Sequence, residues 1–182
     1  TVSKISPSII YNTVDHPIFP SAGTRLNAQF QLAGLGGNTA FWSPRLEAVQ
    51  YFKITNKMSL GVRAQYSYIV PYRGTVELPI FEKLFLGGEM SIRGFDMRSI
   101  GPRDPISGLV LGGDKSLLFN GEYLISVGGP VRLVMFYDTG QVRDRDQRFR
   151  MNEFRTSAGL EIRFFMPVLN VPFRLIFAHN PQ

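Results

Sequence analysis

Residues 58–68, MSLGVRAQYSY, alternate without a break. Met58, Leu60, Val62, Ala64, Tyr66 and Tyr68 fall on one face, and Ser59, Gly61, Arg63, Gln65 and Ser67 on the other. A period of two predicts a β-strand, and this one matches the roughly 9–11 residues that cross a bilayer as a tilted strand. TRLNAQFQL repeats the pattern, with Leu26, Ala28, Phe30 and Leu32 opposite Arg25, Asn27, Gln29 and Gln31. FRTSAGLEIRFF sets Ala158, Leu160, Ile162 and Phe164 against Arg155, Ser157, Gly159, Glu161 and Arg163. Five weaker segments, near 3–11, 45–52, 116–127, 131–138 and 173–179, bring the expectation to eight strands. In 45–52 the phase is ambiguous, because Val49 and Tyr51 compete with Leu46 and Phe52. No segment combines a 3.6-residue period with caps, so helix is expected to be nearly absent.

Alternation does not by itself say what each face meets. In a soluble sandwich the apolar face is core and the polar face meets bulk water. In a membrane barrel the apolar face meets lipid and the polar face lines a wet lumen. The links favour the barrel. KITNK, GGP and MPVLNVP are short, whereas 33–44, 69–115 and 139–153 are long. Short turns at one end and long loops at the other are the pattern of an outer-membrane barrel. Aromatics near strand ends (Tyr11, Tyr68 and Phe165, with Trp42 at a loop end) are candidates for the interfacial girdles, a light argument on its own.

Composition adds three constraints. Hydrophobic residues are 44% of the 182-residue chain, yet no run approaches the roughly 20 apolar residues of a spanning helix, which leaves strands as the crossing element. Cysteine is absent, which fits an oxidising compartment. The net charge of +6 suggests an anionic partner, but Lys and Arg are scattered along the strands rather than clustered with aromatics, so nucleic acid is not expected. The abrupt opening at Thr1, without a signal peptide, predicts an upstream portion.

The 69–115 link is far longer than the usual 4–6 residues or so, and a link of that size is functional or disordered. FEKLFLGGEMSIRGF is too apolar for simple disorder. What receives it can be read from KSLLFNGEYLISVGGPVRLVMFYDTG, a hairpin with its turn at Gly128–Gly129. Its polar face would carry Ser116, Leu118, Asn120, Glu122, Leu124 and Ser126 on one strand, and Arg132, Val134, Phe136 and Asp138 on the other. Pairing across the turn places Glu122 opposite Phe136 and diagonal to Asp138. Two carboxylates on one patch of wall favour a cation between them. Arg93 is the natural candidate, since a guanidinium forks two acceptors and Gly94 lets the backbone come close. The other reading is that both acids are simply hydrated in a wide pore.

At these residues the chain resembles the BamA-like superfamily of outer-membrane assembly and translocation barrels. YNTVDHPIFPSAGTRLNAQF resembles the turn of aspartate, proline and glycine that precedes a strand in that family. LFLGGEMSIRGF resembles the sixth-loop signature Gly-Gly-x-x-x-Val-Arg-Gly-Phe/Tyr, matched by Gly87, Gly88, Ile92, Arg93, Gly94 and Phe95 with isoleucine in the valine's place. GEYLISV, MFYDTGQV and RTSAGLEIRFFMP resemble the strands that follow, in the same order. The resemblance implies that the loop folds back into the lumen and that Arg93 meets Glu122 and Asp138. It implies an all-β, antiparallel transmembrane barrel of 16 strands, of which residues 1–182 are the C-terminal portion with about eight. The periplasmic POTRA modules, the first barrel half and the last strand would lie outside this chain. A complete eight-stranded barrel is disfavoured, because its interior only just holds side chains and leaves no room for such a loop.

The function implied is an outer-membrane protein assembly and insertion factor. Its partners would be unfolded β-barrel clients, accessory lipoproteins of the assembly complex, and outer-membrane lipid or lipopolysaccharide. A related two-partner-type secretion barrel is the alternative. A passive porin ranks below both, because a loop in the lumen obstructs diffusion. No enzyme is expected: His16 and His179 lie near opposite ends without a nucleophile motif around them. Nor is a cofactor or metal, given the absence of cysteine and of paired histidines. GLGGNTA opens no helix, so it is not read as a nucleotide loop. RDRDQRFR at 143–150 is read first as a solvated outer loop and second as a contact for anionic lipopolysaccharide.

Overall fold

A computed structural model describes residues 3–34, 36, 39–72, 74, 78–166 and 171–181. Ten strands form one antiparallel sheet: β1 (Lys4–Ile5), β2 (Ser8–Asn12), β3 (Gly23–Ala33), β4 (Phe41–Lys53), β5 (Met58–Tyr68), β6 (Val70–Pro71), β7 (Lys115–Gly128), β8 (Val131–Arg143), β9 (Arg155–Met166) and β10 (Val171–His179). They occupy eight positions. β1 and β2 follow one another along the free edge of β3, and β6 continues β5 along β4. The break between β1 and β2 falls at Pro7, which has no N–H for the ladder but still accepts from the Phe30 amide. Each remaining strand pairs with the next in sequence, an up-and-down meander.

Two faces separate cleanly. On β5, Leu60 and Val62 are exposed while Ser59 and Ser67 are buried, the reverse of a soluble sheet. An apolar face open to the outside and a polar face covered by protein is the barrel arrangement. The sheet curls around its polar face: Arg132 on β8 reaches the Phe19 and Pro20 carbonyls in the link before β3. Phe19 packs edge-on against Phe165, with ring centroids 6.3 Å apart. Among the described residues β10 and the β1–β2 edge are not paired with each other.

The ambiguous segment resolves with Leu46 and Phe52 on the outward, apolar face, whereas Val49 is buried. Several boundaries move from the expectation. β4 begins at Phe41, so Trp42 lies in a strand rather than at a loop end, and β8 runs on to Arg143. The long links therefore shrink to 34–40, 72–114 and 144–154. The hairpin turn is Gly129–Pro130, one residue later than expected, because a bulge between Ser126 and Gly128 takes up a residue. Phe165 is corrected as a girdle residue, since it shares the inward face of β9 with Glu161 and packs on Phe19. Trp42 and Tyr68 do face outward, and with Phe30 they form an aromatic group at the long-loop end. Much of MPVLNVP, at 167–170, lies outside the described residues, as do parts of GLGGNTA and of the long loop.

Helix is confined, among the described residues, to one 3-10 turn, Met151–Glu153.

Candidate functional site

The long loop has its own structure. Isolated bridges Leu84↔Gly113, Leu86↔Ile100 and Arg103↔Val110 fold it into a layered flap. One side of the flap is apolar, and this is what brings it to the wall. Leu86, Ile92 and Ile100 pack with Leu118 of β7 and Val142 of β8, with Leu84 and Phe95 at the margin. Ile92 is fully buried. Gly140 on β8 makes room for it, because a Cβ there would stand 3.1 Å from Ile92 Cδ1 and 2.8 Å from Leu86 Cδ1. Leu84 also touches a second cluster of Ala33, Phe41, Ile69 and Leu78, which ties the flap to β3 and β4.

Arg93 follows Ile92 and points the opposite way along the same wall. Its Nε donates to Asp138 Oδ2 at 2.7 Å, its Nη2 to Asp138 Oδ1 at 2.7 Å, and its backbone N–H to Asp138 Oδ2 at 3.1 Å. Nη1 donates to Glu122 Oε1 at 2.8 Å and to Glu161 Oε2 at 2.7 Å. The guanidinium carbon sits 3.8 Å from the centre of the Phe136 ring, a cation–π contact. Glu122 and Phe136 are register partners, so the ladder that carries the acid also carries the platform. Asn120, the register partner of Asp138, donates from Nδ2 to Asp138 Oδ1 and to the Ser91 carbonyl, both at 2.7 Å. The loop backbone is therefore held as well as its side chain.

The glycines of the signature shape the approach. Gly94 has φ +80, and a Cβ on it would lie 2.8 Å from Ala178 Cβ on β10. Gly87 and Gly88 are both at positive φ, and a Cβ at Gly87 would meet the Asp96 carbonyl oxygen at 2.3 Å. The Gly87 amide donates to Ser91 Oγ, closing the turn that aims Ile92 and Arg93 at the wall.

Ile92, Arg93, Glu122 and Asp138 thus stand in one place, with Gly87, Gly88, Gly94 and Phe95 in the turn that carries Ile92 and Arg93. Three others were not anticipated in that role. Glu161, fully buried on β9, is a third acid for Arg93. Arg163 donates to Glu161 Oε1 at 2.7 Å and to Glu122 Oε1 at 2.6 Å, and Arg174 to Glu161 Oε2 at 2.9 Å. The sequence held a signal for them: Glu161 and Arg163 fall on the polar face of a strand already identified. Beside this cluster a cavity of about 520 Å³ is lined by charged groups including Arg25, Glu47, Arg63 and Glu89. Among the described residues no group of His, Cys, Asp or Glu is arranged to hold a metal ion.

This arrangement holds a loop. Comparison with known proteins agrees on the scaffold. The model of the Omp85 superfamily domain matches residues 1–181. The outer membrane protein assembly factor BamA of Nitratidesulfovibrio vulgaris is 33% identical over 168 residues, covering 89% of this chain and 21% of that protein. The sorting and assembly machinery component 50 homolog A of Xenopus laevis is 32% identical over 113 residues, 62% of this chain and 24% of that protein. The crystal structure of BamA from Haemophilus ducreyi lacking POTRA domains 1-3 superposes with a TM-score of 0.83, covering 98% of this chain and 39% of that one at 21% identity. The chain spans about a fifth to a quarter of the length of these curated relatives. With the family model matched from end to end, and the apolar face turned outward around a loop-filled polar face, the chain belongs to the Omp85 superfamily and forms part of an outer-membrane β-barrel.

Proposed function

We propose that this chain is the wall and latch segment of a factor that assembles and inserts β-barrel proteins into the outer membrane. The observation that carries the reading is the hold on Arg93. Five hydrogen bonds from one residue reach three acids on three successive strands, a hold that would fix a long loop inside the barrel. Relatives named as assembly factors support the same assignment. The eight strand positions would be consecutive members of a 16-stranded barrel, wide enough to house the loop. Clients would be unfolded outer-membrane β-barrel chains, with accessory lipoproteins as helpers. The work is done without cofactor, by offering strand edges for pairing and by thinning the bilayer locally.

Complementation tests this. Cells depleted of their own assembly factor receive the full-length protein carrying this sequence, intact or as Arg93→Ala. Rescue of client-barrel folding by the intact protein and its loss in the variant are the expected results. Failure of the intact protein to rescue, with export of one dedicated partner protein instead, would overturn the assignment in favour of secretion.

A further inference from the structure

We infer that Glu161 is a positioning residue that couples the latched loop to strand β10, so that one buried carboxylate sets both the loop's hold and the β9–β10 pairing. The inference rests on the latch reading above and adds a mechanical link to it. Arg93 already has both oxygens of Asp138. A further acid with no exposure would be a liability unless cations came with it. They do. The β9–β10 register places Arg163 directly opposite Arg174, and like charges facing each other across a ladder repel.

Glu161 stands between them. Its Oε1 accepts from Arg163 Nε at 2.7 Å and Arg174 Nε at 2.5 Å, and its Oε2 accepts from Arg174 Nη2 at 2.9 Å and Arg93 Nη1 at 2.7 Å. Three guanidinium groups (Arg93, Arg163, Arg174) thus face three carboxylates (Glu122, Asp138, Glu161), and the cluster is neutral only as a whole. Independent contacts run along the same seam. The Asn180 side chain donates from Nδ2 to the Gly94 carbonyl, Arg174 Nη1 lies 3.8 Å from Met90 Sδ, and Gly94 faces Ala178. Whatever withdraws Arg93 therefore leaves three carboxylates facing two arginines, and the uncompensated charge falls on Glu161, the acid that bridges Arg163 and Arg174 beside the β10 ladder.

The test is amide hydrogen exchange in the full-length protein in lipid nanodiscs, read at residues 87–95 and 171–179. Glu161→Gln should speed exchange in both segments by roughly tenfold or more, the scale of lost charge-assisted hydrogen bonds. Glu161→Asp should keep most of the protection. Glu161→Gln with Arg174→Gln, which removes the facing repulsion, should restore β10 but not the loop. Asp138→Asn, altered on β8 alone, should also speed exchange in β10. If Asp138→Asn loosens only the loop, the coupling is refuted while the latch stands; if Glu161→Gln changes neither segment, Glu161 has no positioning role. Should Glu161→Gln not fold, Arg174→Gln decides, since unchanged exchange at 87–95 would overturn the link.

Discussion

Arg93 grips Asp138 with two parallel side-chain bonds of 2.7 Å and a backbone bond of 3.1 Å. Asp138 is wholly buried, and Arg93 nearly so. A buried carboxylate stripped of its cation is costly, on the order of 3–5 kcal/mol. Arg93→Ala should therefore destabilise the docked loop by about that much while the strands still form. Arg93→Lys should fall between, because an ammonium cannot fork a carboxylate. Limited proteolysis of the loop against denaturant concentration measures both; wild-type resistance in Arg93→Ala would show that the ion cluster does not hold the loop.

Ile92 tests the apolar half of the same attachment. It fills the space between Leu86, Ile100, Leu118 and Val142. Ile92→Ala keeps every ion pair and opens a cavity, which costs about 2–5 kcal/mol in a core that cannot collapse. The wall behind it is a β-ladder, so little collapse is expected. Loop proteolysis should rise with the Arg93 cluster intact. A cost near zero would mean that electrostatics alone docks the flap.

These two residues also show what was legible beforehand. Strand phase was readable wherever one face was polar, as in 58–68, because lipid and lumen impose opposite chemistry on alternate residues. The hairpin register follows from the turn to within one residue, so the sequence alone pairs Glu122 with Phe136. Phe165 was misplaced because aromatics at strand ends serve either lipid or lumen, and only the link at 13–22 folding back against it decides. Glu161 escaped notice for a different reason. Its partner Arg93 is 68 positions away, and β9 reaches the loop only because the sheet curls. The 3-10 turn and the extra length of β8 depend on tertiary contacts that local pattern does not record.

Asp15 carries a pH prediction. It sits in the link between β2 and β3, outside the spanning segments. Partial desolvation pushes its carboxyl upward, but the Ser21 hydroxyl and the Ser21 and Ala22 amides outweigh it and hold the pKa at about 2. A folded value below the unfolded one of about 3.9 means that the stabilisation is fully present above pH 4 or so. It is lost as pH falls through about 2. The same link supplies the Phe19 and Pro20 carbonyls to Arg132, so its opening should release that contact. Amide chemical shifts of Ser21 and Ala22 should titrate with a midpoint near 2 and lose this step in Asp15→Asn. A midpoint near 4 would contradict the hydrogen-bonded turn.

Trp42 reports on the orientation from which the rest follows. It is the single tryptophan of the chain, on the outward face of β4. Phe30 stacks on one side with centroids 6.1 Å apart, and Tyr68 meets it edge-on at 6.1 Å. Amphipathic rings grouped at the long-loop end of the strands belong at the headgroup level, where indole has an apolar body and a wet N–H. Any tryptophan elsewhere in the full-length protein is first replaced by phenylalanine. Lipids brominated close to the headgroup should then quench Trp42 strongly, lipids brominated near the chain terminus weakly, and a water-borne quencher such as iodide only in part. Were the polar face turned to lipid instead, Trp42 would lie in the lumen, and iodide would quench it while brominated chains did not. That outcome would also place Glu161 and Asp138 against hydrocarbon, where no arrangement of three arginines compensates for the missing water.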